Sequence, residues 1–195
     1  MIRNRGALLI YEKRYTYADY VSWGLKEGER YELIDGIPYA MAAPSEKHQT
    51  IAGGVFVQLY NRLMGRRRRP FIAPFDVCLF AKGDDDKTSV QPDVMVVCDE
   101  SKRDGNRING APDFIVEVLS PSNQSHEFIR KLNQYRQAGV CEYWIIDPTD
   151  ELIQVFLLEG GRYILSGYSG EDVIPLTAVK DCEIDMREVF AEANR

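Results

Sequence analysis

Two acids stand where acids are expensive. Glu117 lies inside Phe114-Ile115-Val116-Glu117-Val118-Leu119, whose other residues would make an ordinary buried strand. An ionised carboxylate at such a position needs a partner or a coordinated cation. Asp93 follows Pro92 at the head of a second apolar run, Val94-Met95-Val96-Val97. The two runs are consecutive, so antiparallel pairing is the simplest expectation. A hairpin with its midpoint at Gly105, inside Asp104-Gly105-Asn106, sets Asp93 beside Glu117. Two carboxylates a few ångströms apart repel unless one is protonated or a cation lies between them. Ligands that are all oxygen select a hard cation, magnesium or manganese. The plain alternatives are a strand-entry turn for Asp93 and a solvent-facing position for Glu117.

A basic group follows on the next helix, which Ser122 or Ser125 can cap and which runs to Ala138, with Gly139 as its stop. Glu127 and Lys131 are four residues apart and share a face; as a surface pair this is worth about 0.3 kcal/mol. Lys131 also lies about 60° from Phe128, at about 100° per residue, on the border of a stripe formed by Phe128, Leu132 and Tyr135. An ammonium there can reach back over the sheet end, to position or deprotonate a water or to neutralise a phosphate. Tyr135 reads as core, and Ser120 and Ser122 as turn and cap residues. His48 and His126 are the only histidines, and Gly-x-Ser-x-Gly is absent, so a serine triad has no support.

The elements that must position these groups are legible from patterning. Thr16-Tyr17-Ala18-Asp19 has the form of a capping box, opening a helix that Gly28 ends. Tyr31 to Tyr39 alternates around Asp35-Gly36 and reads as a hairpin. Ile51, Val55, Leu59 and Leu63 give a helix over about 47–64, stopped by Gly65. Arg66, Arg67, Arg68 and Arg69, before Pro70, read as a solvated loop, with phosphate contact as the alternative. Strands are expected at 75–80, 90–97, 114–119 and 143–146, with a hairpin around Gly160-Gly161. Asp84-Asp85-Asp86 lacks the acceptor spacing of a calcium loop and reads as a turn. The acidic tail, about 171–195, is expected to hold a short strand and a final helical turn. This order gives an α/β fold with a mixed sheet.

The chain has 195 residues, 45% of them hydrophobic and 28% charged, which suits one domain with a sizeable core. A net charge of −6 argues against a nucleic-acid coat protein or a membrane-surface protein. Cys78, Cys98, Cys141 and Cys182 are widely spaced and read as four small buried hydrophobes. The N-terminus lacks a continuous apolar run, so no signal peptide is expected. No stretch approaches the roughly 18 apolar residues of a membrane span. A reducing cytoplasmic location fits these features.

One set of motifs goes further. It comprises Tyr31-Glu32-Leu33-Ile34-Asp35-Gly36, His48 opening a helix, Pro92-Asp93, Glu117-Val118-Leu119-Ser120-Pro121-Ser122, Lys131-Leu132 with Tyr135, and Glu142-Tyr143-Trp144-Ile145-Ile146-Asp147-Pro148. Over about residues 15–190 this resembles the Uma2 family of restriction endonucleases (DUF820), a branch of the PD-(D/E)XK nuclease superfamily. The resemblance implies a restriction-endonuclease-like mixed β-sheet flanked by helices, with 1–195 as a single domain and 1–14 as its leader. It implies that Asp93 and Glu117, with the Val118 carbonyl, hold Mg2+ or Mn2+. The superfamily lysine would fall at Leu119; here it is expected to have moved to Lys131. Glu32 becomes an extra ligand or water-orienting group, and His48 a site residue. Glu127 stands where the family has aspartate. The implied activity is metal-dependent cleavage of DNA, by a homodimer if both strands are cut. The alternatives are a non-cleaving DNA- or protein-binding protein and a magnesium-dependent phosphodiesterase acting on RNA or nucleotides.

Overall fold

The structure is a computed structural model that describes residues 13–26, 29–120 and 126–195. Helix α1 (Tyr17–Ser22) starts at Thr16, whose hydroxyl accepts from Asp19 N while the Asp19 carboxylate accepts from Thr16 N, closing the expected capping box. The helix stops at Ser22 and does not run on toward Gly28, because the chain turns at Gly24 with φ +57°. Strands β1 (Tyr31–Ile34) and β2 (Ile37–Ala40) form the expected hairpin. Asp35 and Gly36, at φ +52° and +76°, supply the left-handed backbone that a two-residue hairpin turn needs. Helix α2 (Glu46–Leu63) is capped by Ser45 and buries Ile51, Val55, Leu59 and Leu63, the four residues that predicted it.

Four expectations are revised next, for physical reasons. The arginine run is not all loop: Arg69 opens β3 (Arg69–Ile72), where Pro70 is tolerated because β3 is a sheet edge. The apolar stretch 90–97 is not one strand. It divides into β5 (Ser89–Val90), paired with β4 (Val77–Cys78) and β1, and β6 (Val94–Val97), paired with β3. The break falls at Gln91-Pro92-Asp93, where proline removes a ladder donor. The strand expected at 75–80 shrinks to β4, and the loop expected at 99–111 carries β7 (Ile108–Asn109), which pairs with β4.

Strand β8 (Phe114–Val118) pairs antiparallel with β6, Val94 facing Val116 and Met95 facing Ile115. This register has its midpoint at Gly105, as the hairpin reading required, and its next outward pair is Asp93 with Glu117. Helix α3 (His126–Ala138) then carries the chain to β9 (Glu142–Asp147), parallel to β8. The caps expected at Ser122 or Ser125, and the side chains of Glu127 and Phe128, lie outside the described residues. Strands β10 (Leu152–Glu159) and β11 (Arg162–Ser169) close around Gly160-Gly161. The tail forms β12 (Val173–Pro175), β13 (Glu183–Asp185) and α4 (Met186–Ala193), a longer helix than the single turn expected.

The result is a six-stranded mixed sheet, β11-β10-β9-β8-β6-β3, beside a five-stranded sheet, β2-β1-β5-β4-β7. Side chains alternate across the larger sheet. Val94, Val96, Val116 and Trp144 pack with Ile51, Leu59 and Val189 beneath α2 and α4. Met95, Ile115, Tyr143 and Ile145 pack with Tyr135 of α3 and with Val77 and Val90 of the smaller sheet. Glu117 shares the second face with Ile115. Of the cysteines, Cys78 and Cys182 are buried as expected and Cys98 is half-buried, but Cys141 is exposed, because it stands in the turn between α3 and β9. Among the described residues, no helix is long and apolar enough to cross a membrane.

Glu142 opens β9 almost fully buried, yet its carboxylate is satisfied. Trp144 Nε1 donates to one oxygen at 2.7 Å, and the Thr177 and Ala178 amides donate to the other at 2.7 and 2.8 Å. This one residue ties the 177–178 loop to the main sheet. Glu142→Ala leaves three donors unpaired and is expected to lower the urea-derived stability by about 3 kcal/mol. A loss below about 0.5 kcal/mol would show that the clamp contributes nothing net.

Candidate active site

Glu32 is the second residue of β1, and alternation turns it inward, where it is 1% exposed. The Gln91 amide donates to its Oε1 at 2.8 Å, reaching across from the break after β5. Lys131 Nζ stands 2.9 Å from Oε1 and 2.8 Å from Oε2 of Glu32, and 3.0 Å from Glu117 Oε1. The lysine side chain is 10% exposed, so the surface-pair reading of this residue is wrong. One helical turn on, the Tyr135 hydroxyl donates to Glu117 Oε1 at 2.7 Å. Tyr135 is core, as expected, but it also holds the acid. Its position four residues after Lys131, on the same helical face, is the sequence signal that could have flagged it.

Asp93 Oδ2 accepts from the Val118 amide at 2.8 Å and lies 3.1 Å from His48 Nε2. The first bond ties the end of β8 to the entry of β6. His48 sits in the first turn of α2, its amide capped by Ser45 Oγ at 3.2 Å, and this aims its ring at the sheet end. One cavity of about 260 Å³ collects Glu32, His48, Asp93, Glu117, Val118 and Lys131. The structure thus brings together every residue that the sequence picked out for catalysis or metal binding. It does not bring Arg66–Arg69 to them. Arg69 pairs with Val97 and Ile72 with Val94, so the run lies at the far end of β3, along a separate groove beside Tyr60 and Phe71. There Arg66 meets Asp181 at 4.0 Å, and Arg68 donates to the Lys180 carbonyl at 3.1 Å.

The electrostatics follow from burial and crowding. Burial pushes the Glu117 carboxyl above its ordinary range; Lys131 opposes this, while Asp93 and Glu32 add to it. Burial disfavours the charge on Lys131, but Glu117 and Glu32 outweigh it and hold the ammonium well above the usual lysine range. Tyr135 is pushed up by burial and by Glu117, so its hydroxyl stays protonated and donates. For His48, burial opposes protonation, but the hydrogen bond and charge of Asp93, the charge of Glu117 and the Val118 backbone prevail, and the imidazolium is favoured.

Three carboxylates share the cavity with Lys131, His48 and Arg30, so a cation site depends on which carboxylate oxygens those groups leave unengaged. Among the described residues, no three His, Cys, Asp or Glu side chains form a closed metal-binding group. The fitting set is smaller and all oxygen. Asp93 Oδ1 and Glu117 Oε2 accept no hydrogen bond from the described residues. With the Val118 carbonyl they make a donor set for Mg2+ or Mn2+. Glu32 does not fit as a ligand, because Lys131 and the Gln91 amide engage it. It serves instead as the counter-ion that holds the lysine.

Comparisons with known proteins bear on the family and the fold. Residues 17–187 match the Uma2 family model, described as "Putative restriction endonuclease". An uncharacterized protein of Synechocystis sp., slr1290, is 26% identical over 163 residues, which span 83% of this chain and 84% of that one. A crystal structure from Anabaena variabilis, described as "a putative nuclease belonging to DUF820", shares the fold with a TM-score of 0.73 at 19% identity, over 91% of this chain and 98% of that one.

The lysine and its two acids make a measurable unit. Lys131→Met strands two buried carboxylates and is expected to cost about 3–5 kcal/mol in urea denaturation. Adding Glu32→Gln to Lys131→Met is expected to recover more than half of that loss. Additive effects of the two substitutions would exclude the coupling.

Proposed function

Because the chain belongs to the Uma2 family, we propose that it is a metal-dependent endonuclease that hydrolyses phosphodiester bonds of DNA. The observation that carries this reading is the convergence of Asp93, Glu117 and Lys131 in one cavity, with one oxygen on each acid unengaged among the described residues. Asp93, Glu117 and the Val118 carbonyl would hold Mg2+ or Mn2+. When bound, the ion supplies Lewis acidity toward the scissile phosphate and lowers the pKa of a coordinated water. Glu32 fixes Lys131, and Lys131 presents its ammonium to the attacking water or to charge gathering on the phosphate. Tyr135 fixes the rotamer of Glu117 so that its other oxygen faces the cavity. His48 steadies Asp93.

Arg66–Arg69 serve in this reading as a remote contact to the DNA backbone. A homodimer supplies the two centres that double-strand cleavage requires, and the cytoplasm is the compartment. With −6 net charge, binding to DNA is weak and strongly salt-dependent.

Plasmid incubated with the protein and Mg2+ or Mn2+ is expected to be nicked or linearised. Chelator or Asp93→Ala should abolish this, and Lys131→Ala should slow it by about 10²-fold or more. Equal cutting by Asp93→Ala would assign the activity to a contaminant. A folded wild type that binds metal yet cuts no nucleic acid would favour a non-cleaving relative; cutting of RNA alone would favour the phosphodiesterase. Metal binding has its own readout. Mn2+ at a hundredfold excess over Kd is expected to stabilise the wild type by about 2.7 kcal/mol, and Asp93→Ala not at all.

A further inference from the structure

The cavity holds a third cation that the catalytic scheme leaves unused. Arg30 lines it together with Lys131 and His48. The Met41 amide donates to the Arg30 carbonyl at 2.9 Å, which extends the β1–β2 ladder one pair beyond Tyr31 and Ala40. The backbone of Arg30 is therefore fixed. In a strand, residues two apart share a face, so Arg30 emerges on the same side as Glu32, about 7 Å further along the strand.

The other two cations are already committed. Lys131 Nζ donates to Glu32 Oε1 and Glu117 Oε1 at 2.9 and 3.0 Å, with Glu32 Oε2 in ion-pair contact at 2.8 Å. His48 Nε2 is turned onto Asp93. Both already balance buried carboxylates, so neither brings a full uncompensated charge to an incoming anion. Among the described residues, the Arg30 side chain has no ion pair and no hydrogen bond. A phosphodiester entering beside Glu32, Asp93 and Glu117 meets an acidic wall. Among the described residues lining the cavity, the guanidinium is the cation not paired with a carboxylate, and its planar fork matches two non-bridging phosphate oxygens.

We propose that Arg30 is the phosphate grip of this cavity, binding the backbone of a nucleic-acid strand without regard to sequence. The proposal rests on the nuclease reading and adds to it a substrate-binding residue outside the metal and lysine set. It also assigns the grip to the cavity itself, while the arginine run lies at the other end of β3.

The test measures binding of a short fluorescent DNA duplex in Ca2+ buffer over a range of salt, with wild type, Arg30→Gln and Arg30→Lys. Arg30→Gln is expected to weaken binding about tenfold at low salt and to lower the slope of log K against log salt by about one. Arg30→Lys should keep the slope while losing part of the affinity, because it keeps the charge and loses the fork; it also stands in if Arg30→Gln fails to fold. Unchanged affinity and slope in Arg30→Gln would overturn the proposal, as would a wild type with no salt-dependent affinity. Plasmid cutting by the wild type, assayed in parallel with Mg2+, separates the two readings. Cutting with an unaltered Arg30→Gln slope removes the grip and leaves the nuclease. A lowered slope with no cutting leaves the grip and removes the nuclease.

Discussion

Lys131 between Glu32 and Glu117 is the interaction on which the rest of the site depends. Burial at this depth disfavours the charge on the ammonium and pushes the Glu117 carboxyl up. Together they compensate one another: Lys131 opposes the rise that burial imposes on Glu117, and the two acids hold the ammonium charged across nitrogen–oxygen contacts of 2.8–3.0 Å. Each member comes from a different element. Glu32 belongs to β1 of the smaller sheet, Glu117 to β8 of the larger, and Lys131 to α3, which packs over both. The triad is thus an assembly device as well as a chemical one. Tyr135 completes it by giving the shared Glu117 oxygen a second donor.

The second organising pair is Asp93 with Glu117. Their proximity follows from the β6–β8 register, which leaves them as the next cross-strand pair beyond Val94 and Val116. On most sheets like charges so placed would be selected against. Here Lys131 and His48 approach the two acids from opposite sides, one from α3 and one from α2. Among the described residues, each acid has one oxygen that accepts a hydrogen bond and one that does not.

Much of this was legible in the sequence, and the exceptions have physical causes. The Asp93–Glu117 pairing could be read because a hairpin register depends only on residue spacing, and it survives although β7 and a 3-10 turn interrupt the connection. Helix α2 and the hairpins were legible because local periodicity and turn chemistry specify them. Glu32 was ambiguous: its partner is 99 residues away, and a strand carboxylate without a visible partner looks like a surface group. The division of 89–97 between two sheets was hidden because both halves are apolar and only Pro92 marks the break. Strand β3 was hidden because four arginines outweigh two apolar residues in any pattern reading. Tyr135 was correctly assigned to the core, but a hydrophobic stripe does not disclose where a hydroxyl points.

The break at Gln91-Pro92-Asp93 has a mechanical meaning. The chain leaves the smaller sheet at Val90 and joins the larger one at Val94. Between them, the Gln91 amide holds Glu32 of the first sheet and Asp93 receives the Val118 amide of the second. These three residues act as a rivet through two plates. Sliding of one sheet on the other would shear the carboxylates apart before it disturbed either hydrophobic layer. Alignment of these carboxylates is therefore the most sensitive gauge of how well the two plates are joined, and substitutions in the cores beneath them would be felt first at the rivet.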